Sequence, residues 1–336
     1  MSTNLFKKHL SSYYAYIPHS FKIALDPESI CKATSYRDPK SGKYKKPEWK
    51  ESKSGMDYRP SVNIAPTDVT PVLLNASHFN KEENEPVIYP MMWGMIPPWH
   101  KGEIKSHGLS TNNCRLEGVK ESKLYSPALQ NGKRCVVLCE GFYEWQTTKK
   151  DSSSKQPYYI YAPQDKEVCI EDPKSWKAEW NEIEGWKGPK LLKMAGLFSC
   201  WTSPEGKPVH SYSVITMESN STFSWLHHRM PAILHSDVEV MDWIDNGRVP
   251  ADKAKDLLKP VSDLKWHPVS TAVNNSRNKA ESCNKPVDLK NPKPVNPLMM
   301  NWLKRANNTQ ASSSAESKSD NCETPQAKKF KKEEPK

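Results

Sequence analysis

A chain of 336 residues with formal net charge +10 and a pI near 9.0 is long enough for one large domain or two small ones, and its charge favours an acidic partner such as nucleic acid. Its eight cysteines follow no framework spacing, and Cys135 with Cys139 lacks the second pair that structural zinc needs, so disulfide scaffolds and metal sites are excluded, reduced thiols fit, and no cofactor is expected. No apolar run reaches membrane-spanning length and no signal-peptide core is present, which reads as a soluble intracellular chain.

Residues 1–25 contain no acid but carry Lys7, Lys8, Ser11, Ser12, Tyr13 and Tyr14, a composition shared by transit-like leaders and disordered arms. Asp26-Pro27 is a helix start, cap and first turn, and predicts a helix to about Tyr36. Residues 37–60 read as a basic loop, Val62–Thr67 as a short extended piece and Val69–Leu74 as a strand. Met91–His100 is a strand running into a proline-stiffened loop with Trp99 near its tip, and Ser110–Glu117 is polar. The β-branched run from Arg134 predicts a buried strand that breaks at Gly141. A turn at Lys149–Lys155 leads to a strand at Gln156–Tyr161. Residues 163–190, with Trp176, Trp180 and Trp186 among charges, form an insertion with a short helix. Strands follow at Lys193–Trp201 and Tyr212–Met217, and Leu226–Leu234 joins a turn to a strand. Helices at Val238–Ile244 and Ala251–Leu258 precede a last strand at His267–Val273 and a loop at 274–278. Many short strands with few helices predict an α+β domain rich in β. From about residue 304 the chain turns Ser/Asn/Lys-rich, a disordered tail. Its Lys328-Lys-Phe-Lys-Lys run is a nuclear-localisation or nucleic-acid patch, or a solubilising end. Leu298–Arg305 is amphipathic, either closing the domain or docking on a replication partner.

The chemistry centres on Leu138–Trp145, where Phe142, Tyr143 and Trp145 surround Glu144. A carboxylate boxed by rings is poorly solvated, so its pKa rises toward the range of a working acid or base; the alternative is a surface glutamate paired with a cation. Asn113, Arg115 and His227 are further polar residues beside apolar strands. Taken singly they read as a turn residue, a surface cation and a core histidine; their convergence with Glu144 on one pocket is an expectation that periodicity does not show. Trp93, Trp99 and Pro97-Pro98 offer stacking faces and Arg115 and Arg229 offer phosphate contacts, a set suited to single-stranded nucleic acid. A Cys/His hydrolase using Cys114 with His227 is a rival, and requires a lowered thiol pKa.

Six stretches give a family resemblance: Asn63-x-Ala-Pro66, Trp93-Gly-x-x-Pro-x-Trp99, Asn113-Cys-Arg-x-Glu117, Gly141-Phe-Tyr-Glu-Trp145, His227-x-Arg-Met-Pro231 and His267-Pro-Val-Ser270. In this order they resemble the SOS-response-associated peptidase family over roughly residues 22–303, and the insertion and basic tail resemble its eukaryotic branch, also described as binding 5-hydroxymethylcytosine. The resemblance implies one domain around a strongly curved, barrel-like sheet with peripheral helices, a peptidase-type character, and a groove for single-stranded DNA. It implies a nuclear, monomeric protein at replication forks that caps abasic sites by bonding to the sugar aldehyde. By the resemblance, Glu144 shuttles protons, His227 assists ring opening and Asn113 holds the N-terminal residue or the sugar. Arg115, Trp99, Trp93, Pro66 and Arg229 then face the DNA. The family's nucleophile is a cysteine exposed by removal of the initiator methionine, whereas this chain begins Met1-Ser-Thr-Asn-Leu and matches only from near Lys22. An atypical arm over 1–21 therefore reads as a misjoined first exon or as an isoform that binds without the stable covalent cap.

Overall fold

The computed structural model describes residues 20–104, 106–148 and 155–290. The expectations for residues 1–19, the turn at 149–154, the segment from Leu298 and the tail from 304 lie outside them. In chain order the principal elements are β1 (Ser20–Ile23), α1 (Pro27–Ala33), β2 (Ser61–Ile64), β3 (Val69–Asn75), β4 (Pro86–Trp93), β5 (Asn113–Arg115), α2 (Tyr125–Gln130) and β6 (Arg134–Cys139). They continue with β7 (Gly141–Trp145), β8 (Pro157–Tyr161), β9 (Leu192–Thr202), β10 (Pro208–Glu218), β11 (Arg229–Pro231), α3 (Asp237–Ile244), α4 (Ala251–Asp256) and β12 (Lys265–Pro268).

Five strands close on themselves as the strongly curved sheet expected. β3 pairs with β4 and β6, β6 with β9, and β9 with β10, all antiparallel. A parallel pairing of β10 with β4, at Ser211↔Met92 and Tyr212↔Trp93, completes the ring. Closure leaves these strands no free edge. Every residue of β6 is buried, because α3 covers its outer side and Trp243 Nε1 donates to Cys135 O at 2.8 Å. α3 starts where Ser236 and Glu239 form a capping box.

A second, open sheet has the order β12-β8-β7-β1-β2. Here the structure corrects the strand break expected at Gly141: β6 ends at Cys139 and β7 begins at Gly141, so the chain turns from barrel to sheet across Glu140 alone. The carboxylate at that corner is buried, bonded to Lys22 Nζ at 2.6 Å and to the Ala24 N–H at 2.6 Å. Lys22 also lies over the Trp176 ring at 5.3 Å, which ties the 163–190 insertion to the corner. Glycine is required at 141 by close approach, since a Cβ there would lie 2.6 Å from Ile160 O and 2.5 Å from the Tyr159 ring.

The arm expected over 1–21 ends earlier than its composition indicates. Ser20 and Phe21 belong to β1, which pairs with β7 over Ser20↔Tyr143 to Lys22↔Gly141, and Phe21 packs on Trp93 with ring centroids 4.8 Å apart. α1 carries the expected Asp26 cap, Ser29 N–H to Oδ1 at 3.0 Å, but stops at Ala33. The insertion holds a short 3-10 turn at Pro173–Ser175 and a hairpin of Trp180–Asn181 with Gly185–Trp186. The compact unit ends at Val287.

Candidate active site and nucleic-acid interface

Glu144 sits in β7, opposite Tyr158 of β8. Side chains alternate along a strand, so of the three rings expected around Glu144 only Phe142 shares its face. Tyr143 and Trp145 pack in a separate cluster on the other side of the sheet. The rest of the apolar lining comes from residues distant in sequence: Phe223 lies 6.2 Å from Phe142 and Trp225 lies 5.1 Å from Tyr158, centroid to centroid. Glu144 is 1% exposed. Burial pushes its carboxyl up to about 8, against the Trp145 N–H that reaches Oε1 at 3.1 Å and the charge of Lys155. Oε2 has no hydrogen-bond partner among the described residues. The group is thus a neutral acid at pH 7.

The loop carrying His227 is stitched to the end of β7. The Thr147 N–H donates to Leu226 O at 3.0 Å, and Gln146 Nε2 to Trp225 O at 3.3 Å. His227 is fully buried, and the Arg229 N–H donates to its Nδ1 at 3.1 Å. Nδ1 also lies 3.2 Å from the Arg229 carbonyl oxygen, so the Arg229 backbone fixes the ring's orientation whichever nitrogen carries the proton. The His228 ring lies 4.3 Å from that of His227. Burial, then the charges of Arg229 and Arg115, holds His228 below the ordinary imidazole value, which places Arg115 within electrostatic reach of the histidine pair.

Arg115 is exposed on β5, and alternation puts Asn113 on its face while Cys114 turns into the core. β5 runs parallel to β10 with Asn113 beside Val214 and Arg115 beside Thr216. Asn113 Oδ1 is buried without a hydrogen-bond partner among the described residues, an acceptor left for a ligand. Fold contacts therefore bring Glu144, His227 and Arg115 into one neighbourhood, with Asn113 on the same strand face as Arg115.

The aromatic residues divide. Trp99 is 57% exposed at a turn, and its loop is clamped by Ile96 N–H to Ser211 Oγ at 2.8 Å, Ser199 Oγ to Ile96 O at 2.7 Å and Trp201 Nε1 to His100 O at 2.8 Å. It is a rigid, open stacking face. Trp93 is instead buried, with Nε1 donating to Asn112 O at 2.9 Å. Its indole forms the floor of a cleft of about 440 Å3 whose wall includes the exposed Pro66, with Thr67, Gly94, His107 and Asn112. Thr67 adopts φ +80° at this rim, a strain of the kind that collects at binding sites.

Arg229 departs from the expected phosphate contact. Its guanidinium is buried, bidentate to Glu117 at 3.1 and 2.9 Å, and bonded to Thr216 O at 2.8 Å; it clamps β11 to the segment after β5. The Cys114 hydrolase is not supported either. That thiol is 1% exposed, and burial raises it far above the ordinary cysteine value, the opposite of an activated nucleophile. Asn63 proves an anchor, its Nδ2 donating to Val273, Asn275 and Asn278 carbonyls at 3.1–3.3 Å. Sequence reasoning did not find Lys22, Glu140, Tyr158 or Trp225; only the Trp225-Leu-His-His run beside His227 carried a local signal.

The model of the SOS response associated peptidase (SRAP) family matches residues 21–276. The chain belongs to this family. It is 46% identical over 263 residues to "Abasic site processing protein HMCES" of Xenopus tropicalis, covering 77% of this chain and 75% of that one. It is 39% identical over 290 residues to the Gallus gallus protein of the same name, covering 84% and 82%. A Bacillus subtilis relative, "Abasic site processing protein YoqW", is 29% identical over 66% of this chain and 84% of its own. Crystal structures of proteins from Bordetella bronchiseptica and Bacteroides thetaiotaomicron share the fold at 18% and 21% identity, with TM-scores of 0.52 and 0.51. They cover 75% and 68% of this chain and 99% and 86% of their own. Within the six sequence stretches, Asn113, Glu144 and His227 are the candidate site residues, while Asn63, Glu117 and Arg229 make contacts that hold the frame.

Proposed function

We propose that this SRAP protein recognises abasic sites in single-stranded DNA and bonds covalently to the exposed sugar. A buried carboxylic acid whose pKa is pushed up to about 8, on a strand whose end is bonded to the loop of a buried histidine, carries this reading. Such a pair suits the opening of a cyclic hemiacetal, where the carboxylic acid donates to the ring oxygen while an unprotonated imidazole nitrogen takes the hydroxyl proton. The aldehyde then reacts with an amine, forming C=N and releasing water; a neighbouring thiol would add across the C=N to close a five-membered ring. We assign the amine to the segment ahead of β1. Ser stands at residue 2 of this sequence, and a hydroxyl closes a more labile ring than a thiol. Trp99 stacks a base and Arg115 holds a phosphate. Work as a monomer in the nucleus at replication forks, guided by the basic tail, completes the proposal.

Borohydride reduces an imine to a stable amine, so the test is a denaturing gel after incubation with a single strand bearing one abasic site. A borohydride-dependent shifted band, absent with an intact strand, is expected. Equal affinity for the two strands and no band would contradict the assignment; lesion-selective binding without a band would leave a reversible binder.

A further inference from the structure

The register along β10 orders the site. Trp93 lies beside Tyr212, Asn113 beside Val214, Arg115 beside Thr216 and Arg229 beside Glu218, so six residues spread these groups over about 20 Å. The clamped Trp99 loop belongs to the first end, through Ile96 on Ser211. The other end opens into the loop from Ser219, which returns through a Ser219 N–H to His228 O bond at 3.0 Å.

At that second end three rings follow one another outward. Tyr158, opposite Glu144, meets Trp225 edge-on at 5.1 Å and 85°, and Trp225 meets Trp266 at 5.4 Å and 45°. Exposure increases along the series, from 8% at Tyr158 through the half-buried Trp225 to 39% at Trp266. The Trp225 carbonyl is fixed by Gln146 Nε2 and Thr148 Oγ1, and Trp266 is held on β12 by its register with Ile160, so the rings are set in place before anything binds. Lys155, just ahead of β8, is exposed, and its charge reaches Glu144.

Resting on the abasic-site reading, we propose that Trp225 and Trp266, backed by the buried Tyr158, form a stacking ladder for the bases on one side of the lesion, leading the strand out across β8 and β12. The Trp99 loop receives the bases on the other side. The occupant is single-stranded nucleic acid because the series begins at the strand partner of Glu144, within reach of the Lys155 charge, and ends at an exposed tryptophan, and every base offers a face for an aromatic ring.

The test is fluorescence anisotropy with two labelled strands carrying a non-reacting tetrahydrofuran abasic analogue, each with five nucleotides on one side only. Trp266→Ala and Trp225→Ala should each weaken one of the two strands by roughly tenfold and spare the other. Trp99→Ala should show the reverse preference, and Trp225→Phe should recover most of the loss. Thermal unfolding of each variant separates lost stacking from lost structure, and Trp266→Ala, at an exposed ring, reads the ladder even if Trp225→Ala unfolds. Wild-type affinity for both strands in both ladder variants would overturn the proposal. So would a fall in self-association by sedimentation with DNA affinity intact, which would make the rings a protein contact. If the wild type prefers neither strand to intact DNA of equal length, the abasic reading fails, while the flank dependence still reports on the ladder.

Discussion

Burial that pushes Glu144 up to about 8 makes the residue costly to the fold as well as useful to the site. Between the ordinary glutamate value and about 8 the folded state holds a proton that the unfolded state has lost, so stability falls as pH rises through that window. Glu144→Gln cannot titrate. It should stabilise the fold little at pH 5 and clearly at pH 8, by on the order of 3 kcal/mol, while slowing adduct formation; differential scanning calorimetry at the two pH values checks this. His210 titrates in the opposite sense. Burial, then the charge of Lys133, brings it down to about 4, and it is stability between pH 6.5 and 4 that falls as acid is added. Glu144 was legible in the sequence because a carboxylate in an apolar run is rare. The identity of its neighbours was not: adjacent residues point to the other face of a strand, and Phe223 and Trp225 arrive from some eighty residues away.

At the scale of elements, the corner at Glu140 and the clamp at Arg229 join what the chain keeps apart. Gly141→Ala would drive a Cβ into Ile160 O and the Tyr159 ring, both in β8, so it should cost several kcal/mol or prevent folding, which urea denaturation measures. Arg229 and Arg115 look alike in sequence, two arginines beside apolar strands. Arg229→Ala would remove a buried side chain that ties Thr216 O to Glu117, but Glu117 is half exposed and Thr216 O keeps the Leu116 N–H, so it should lower stability by roughly 1–3 kcal/mol. Arg115→Ala, at an exposed side chain, should leave the melting temperature unchanged and reduce the salt slope of DNA binding by about one. Only the fold separates the two roles, because the Arg229–Glu117 pair spans 112 residues. For the same reason β1 was not seen: its partner β7 lies more than a hundred residues on. The helix α1, set by a local Asp-Pro start, was.

At the scale of the molecule, strand count and turn spacing pointed to a β-rich α+β domain, and the five-strand closure of β3, β4, β10, β9 and β6 answers the curved sheet that the family resemblance implied. Closure itself was not legible, because the parallel pairing of β4 with β10 joins segments about 120 residues apart. The barrel carries Asn113 and Arg115 on its flank, the second sheet carries Glu144, and the loop with His227 is bonded to both. That meeting of two sheets is what draws separated polar residues toward one neighbourhood. The most direct measurement is the pH dependence of borohydride-trapped adduct formation on abasic single-stranded DNA, in the wild type and in Glu144→Gln. The rate should fall as pH rises past about 8, and Glu144→Gln should be slower by roughly a hundredfold or more, with that limb lost. A wild-type profile flat through pH 8, or a variant as fast as the wild type, would contradict the assignment of Glu144 as the acid that opens the sugar.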